Sequence, residues 1–249
     1  MELSTIIIIV AVILFVCACV IGFIRWNAMR ITRWFNWKKL NINKPMEEYA
    51  EILLEEHNLT DVEVKRVGFW ASIFVGNTYS TRKKLIRLSW ITARRATATN
   101  LAITCKLVAY AKLHTEGKKH LHAVEVYRWL SWLPILFLPL LVVGIIIDLI
   151  ASGGLGMYTL IFGSVGLVFA LATFILACIV AKNERLACTD GQNIILDMGI
   201  LDEAEEKKMR KLFSAWKKLV VVNVIYNTFQ LIFFIFNVLL SVLRIGGKK

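Results

Sequence analysis

The sequence predicts a mostly α membrane protein: four transmembrane helices plus a small α+β cytoplasmic domain. Three observations predict it. The 249 residues are 57% hydrophobic, above the roughly 45–50% of a soluble domain, and mean hydropathy is +0.63. Four charge-poor stretches are long enough to cross a bilayer. Between them, polar segments carry helical and alternating apolar periods. Five cysteines, none in a CxxC pair, exclude a thiolate zinc site and a secreted disulfide framework. Three prolines and 14 glycines exclude a low-complexity chain.

The expected spans are 6–24, 129–151, 157–181 and 219–243; Asp148 is their one charged residue. Roughly 20 apolar residues in a helix cross a ~30 Å hydrocarbon core, and backbone groups in lipid must be satisfied internally. Residues 6–24 read as a retained anchor, because the leader MELST has no base and GFIRW lacks a small-residue cleavage pattern. Lys and Arg concentrate in 25–128 and 182–218, and 152–156 has none. The positive-inside rule then places the polar segments in the cytoplasm of a multi-pass plasma-membrane protein, with both termini outside.

Residues 25–44 interleave bases with aromatics: Arg25, Trp26, Arg30, Arg33, Trp34, Trp37, Lys38 and Lys39. Directly after a span, this suits a basic amphipathic helix lying among membrane lipids. The net charge of +12 follows from topology and needs no nucleic acid.

Residues 45–128 form the expected polar domain. Met46, Tyr49, Ala50, Leu53 and Leu54 mark one helix face. Residues 61–67 alternate like a strand, and 84–88 form a second. From 91 to 114 the chain is helix-compatible, with Leu101, Cys105, Val108 and Ala109 on one face. Within 182–218, a helix ends at Gly199, and Asp202 with Glu205 makes a capping box for the next.

This order resembles the YugP-like neutral zinc metallopeptidases of bacterial membranes. Their hallmark is a helix reading H-E-V-G-H-A-I-Q-H after a strand ending R-L-S, with a downstream glutamate before a G-I-L turn. Here Arg87-Leu88-Ser89 matches the strand end, Glu184 the glutamate, and Gly199-Ile200-Leu201 the turn. Counting from Ser89 places the motif window at Lys106–His114. The resemblance implies a gluzincin-type domain, but a degenerate one. In a HExxH helix, histidines at i and i+4 bind Zn²⁺ and the glutamate acts as general base. At the corresponding positions stand Lys106, Leu107 and Tyr110. Only Glu184 and the non-ligand His114 remain. The implication is a catalytically inactive protein without zinc, in which Lys106 pairs with Glu184. It would serve as scaffold, adaptor or regulatory subunit for an active relative or another membrane protein.

Two other classes stay open. A membrane metallohydrolase could use altered ligands from His114, His120, His122, Glu116 and Glu184. A small transporter or channel subunit would need a polar path, for which Asn223, Asn227, Gln230 and Asn237 on the last span offer a stripe; the same stripe could bind a partner or make interhelical hydrogen bonds. Asp148 reads as interfacial, and Gly163 and Gly166 as sites of close helix packing.

Overall fold

The structure is a computed structural model. It describes residues 44–131, 133–152 and 155–246, with residues 16–17, 20–21 and 23–24. The expected first span, 6–24, and the basic segment, 25–44, fall almost wholly outside the described residues. The described chain forms two compact units.

The described part of the polar unit covers 44–125 and 180–221. Helix α1 (Met46–Glu56) starts at Pro45, whose fixed φ and missing N–H suit a helix start. It buries Met46, Ala50, Leu53 and Leu54, the face its spacing predicts, while Tyr49 is half-buried. Strand β1 (Glu63–Arg66) leads through a short helix, α2 (Phe69–Val75), to β2 (Thr78–Ser80) and β3 (Leu85–Leu88). The sheet order is β1-β3-β2. β1 runs parallel to β3, with Glu63 opposite Leu85, and β2 runs antiparallel to it. Central β3 buries Leu85, Ile86 and Leu88.

The expected helix over 91–114 is two helices, α3 (Trp90–Arg94) and α4 (Ala98–Thr115). Each has its own hydroxyl cap: Ser89 Oγ accepts from Thr92 N and Thr97 Oγ1 from Asn100 N, both at 3.3 Å. Asn100 Nδ2 also donates to Arg95 O at 2.8 Å, fixing the break. α4 is buried on nearly every side, Leu101, Cys105, Val108 and Ala109 completely. It ends at Gly117 (φ +71°), where Gly117 N donates to His114 O and Lys118 N to Leu113 O, satisfying terminal carbonyls.

The described part of the second unit falls within 1–25, within 126–179 and in the chain from Val222. Helix α5 (His122–Leu130) leads into it, and α6 (Leu133–Ser152) follows. Helices α7 (Met157–Asp197) and α8 (Glu203–Gly246) each contribute to both units. Leu141, Ala170 and Phe234 form its buried core. Phe137 stacks on Phe169 at 5.2 Å. A Cβ on Gly163 would sit 3.1 Å from Val238, and one on Gly166 2.2 Å from the Phe234 ring, so both glycines are packing sites.

The four-span expectation requires correction. Among the described residues two helices are long and apolar enough to cross a membrane, α7 and α8 as far as Leu243. The stretch 129–151 is divided between α5 and α6. α5 stops near Ser131, because Pro134 has no N–H to continue its ladder. Within α6, a shorter apolar run, Pro139–Ala151, is found among the described residues. The boundaries expected near 181 and 219 fall inside continuous helices.

Asp148 has a specific task. Its carboxylate accepts from Gly156 N (2.9 Å), Tyr158 N (3.3 Å), Thr159 N and Thr159 Oγ1 (both 2.7 Å). It caps the amide groups that open α7. The residue is buried against the start of α7.

Candidate functional site

The motif window lies on α4, with its first position facing α7. Lys106 Nζ donates to Glu184 Oε2 at 2.5 Å. Both side chains are about a quarter exposed, at 23% and 22%, so the pair is more weakly screened than a surface pair. The ammonium also lies 5.8 Å from the Tyr110 ring centre and 5.7 Å from that of Trp216 on α8, within the reach of a cation–π contact. Three elements thus converge on one cation. Leu107 and Tyr110 are buried in the same core.

Gly191 makes the convergence possible. A Cβ there would lie 2.9 Å from Lys106 Cα and 3.0 Å from Lys106 N. Glu184, Cys188, Gly191 and Ile195 recur at helical spacing, so one stripe of α7 carries the carboxylate and the smooth contact. Burial pushes the Cys188 thiol pKa up; Lys106 opposes this shift and Glu184 adds to it. Gly199 (φ +60°) follows the end of α7. Asp202 and Glu205 then form the capping box, with Glu205 N donating to Asp202 Oδ1 at 2.6 Å.

His114 belongs to a separate contact, a 2.7 Å hydrogen bond between its Nδ1 and Tyr79 Oη. This joins α4 to β2. Burial, with a smaller contribution from the Asp61 charge, raises the Tyr79 pKa from 10.0 to about 12. Asp61 itself is held below the usual carboxylate range, chiefly by its hydrogen bond from Lys84. His120 sits in a left-handed turn (φ +65°), and His122 lies 4.0 Å from Glu125.

The relocated ligand set is therefore not assembled. Among the described residues, no three His, Cys, Asp or Glu side chains come together as metal ligands. The polar stripe on the last helix is largely occupied internally. Asn227 Nδ2 donates to Tyr127 Oη at 2.9 Å and to Asn223 O at 2.7 Å. Gln230 donates to Tyr226 Oη, and Asn237 to Phe233 O. Asn227 and Asn237 are buried. The membrane-surface residues Arg25 to Lys39 lie outside the described residues. Sequence reasoning missed Gly191, Trp216 and Tyr79. The stripe Glu184, Cys188, Gly191, Ile195 could have revealed the first; no sequence signal marks Trp216.

Fold and site define an α+β unit whose buried central helix meets a glutamate from a distant helix, with an ion pair between them. The chain belongs to the family described as "Putative neutral zinc metallopeptidase", whose model matches residues 5–239. No curated protein and no solved structure matches it. The family description implies zinc, and the residues of the window do not fit that ion. Lysine brings a positive charge to a cation site, leucine has no donor atom, and Glu184 is engaged by Lys106. A catalytic zinc takes three protein ligands and a water.

Proposed function

We propose that this chain is a non-catalytic member of its peptidase family that acts by binding other proteins in a membrane. The observation that carries the reading is the Lys106–Glu184 pair, a tethered cation where the family's chemistry calls for a metal. Its role is that of a scaffold, adaptor or regulatory subunit, and its natural partner is an active relative or another membrane protein. The two long apolar helices support a membrane setting. The distribution of Lys and Arg supports a cytoplasmic polar unit.

Restoring the motif tests it. The wild-type chain, purified in mild detergent, is expected to hold no stoichiometric zinc and to leave casein intact. The triple variant Lys106→His, Leu107→Glu and Tyr110→His places two histidines at i and i+4 opposite Glu184, and is expected to gain one zinc per chain. Stoichiometric zinc and cleavage in the wild type would overturn the proposal. So would a well-folded triple variant that takes up no zinc, because the window would then be misplaced. The proteins copurifying with the wild-type chain would identify its partner.

A further inference from the structure

α2 and α3 present aromatic side chains outward although both helices are firmly tied. Ser72 Oγ donates to Gly68 O at 2.8 Å and accepts from Trp90 N at 3.0 Å. Asn77 accepts from Ser89 N at 2.7 Å and donates to Thr92 Oγ1 at 3.0 Å. Gly76, at φ +61°, closes α2 in a conformation that favours glycine. On this frame Phe69 is 52% exposed, Trp70 77% and Ile91 49%. Phe69 makes edge-to-face contacts with Trp70 and Trp90, at 5.5 and 5.9 Å. Arg94 lies over the Trp90 ring at 4.7 Å, and Arg95 beside it is exposed.

Along the chain, the stretch that carries this ridge has charge of one sign. No Asp or Glu occurs between Glu63 and Glu116, while Lys and Arg recur throughout that stretch. An aromatic protein partner needs no such exclusion of acids. An anionic lipid surface does, because bases gain attraction there while tryptophan and phenylalanine sit at headgroup level.

We infer that the ridge of Phe69, Trp70, Trp90 and Ile91, with Arg94 and Arg95, is a docking surface for an anionic bilayer. Its residues differ from those of the basic stretch 25–44 in the sequence and from those of the Lys106 site. It rests on the reading of the long helices as membrane spans, and on nothing concerning catalysis.

The test uses the full chain in lipid nanodiscs, with a photoreactive benzoylphenylalanine replacing Trp70 or, as a control, Glu51 on the acidic face of α1. Discs are made of phosphatidylcholine alone or mixed with phosphatidylglycerol. Lipid adducts are expected at position 70, in the mixed discs above all, with little at position 51. Arg94→Gln with Arg95→Gln is expected to lower the adduct yield at least about tenfold, given roughly fivefold per base, with the thermal melt retained. The inference is overturned by equal yields at 70 and 51, by yields indifferent to phosphatidylglycerol, or by adducts to a second protein chain. Retention of the chain in the disc through a high-salt wash reports the spanning reading separately. A chain that washes away overturns both.

Discussion

Gly191 faces the backbone of Lys106 so closely that an added Cβ would stand 2.9 Å from Lys106 Cα. Alanine ordinarily helps a helix interior by about 1 kcal/mol over glycine. Here the obstacle is main chain, which cannot swing aside. Gly191→Ala is therefore expected to destabilise the chain by about 1–3 kcal/mol through overpacking. Thermal melting in detergent checks this; an unchanged or raised midpoint would mean the helices do not touch there.

The Lys106–Glu184 pair is expected to show coupling. Lys106→Met and Glu184→Gln each strand a charge in a partly closed site, at about 1.5–3 kcal/mol. The double variant removes both charges and should lose clearly less than the two singles combined. Chemical denaturation of the four proteins gives the cycle. Strict additivity would show that the contact carries no energy.

Tyr79 gives a pH dependence whose sign follows from its raised pKa. In the unfolded chain the phenol ionises near 10.0, and in the folded chain near 12. The folded state thus holds the proton longer. The stabilisation is complete below pH 10 and is lost as pH rises from 10 to about 12. Tyr79→Phe removes this alkaline decline and also the hydrogen bond to His114, worth about 0.5–1.5 kcal/mol. Melting curves across that window, compared with tyrosinate absorbance, test the assignment. A wild-type chain no more alkali-sensitive than Tyr79→Phe would reject it.

Asp148 is expected to matter as a cap. Asp148→Ala leaves the opening amides of α7 without their acceptor and should cost about 1–2 kcal/mol. Asp148→Asn keeps one acceptor oxygen and should cost less. Gly156→Ala should mimic the loss in part, because its Cβ would stand 2.8 Å from Asp148 Oδ1. Equal melts for Asp148→Ala and the wild type would return Asp148 to an ordinary polar role.

The elements legible in the sequence were those whose side chains repeat on the helical period. Met46, Ala50, Leu53 and Leu54 announced α1, and Leu101, Cys105 and Val108 announced α4, because each face packs into one core. The break between α3 and α4 was hidden because neither Gly nor Pro marks it; a hydroxyl cap at Thr97 and the Asn100 amide do the work instead. β2 is three residues long, too short for an alternating pattern. β1 and β3 were readable as strands, but their parallel pairing depends on the crossover through α2, which the sequence did not announce. At the site, residues 106 and 184 could be paired by counting from Ser89. Trp216 could not, since its contact depends on how α8 packs.

A metal can be chelated, diluted away or exchanged for a competitor, and a peptidase that depends on one follows its supply. The ammonium of Lys106 is bonded to its own chain. On the non-catalytic reading proposed above, starvation for zinc or treatment with a chelator is expected to leave the junction between α4 and α7 closed.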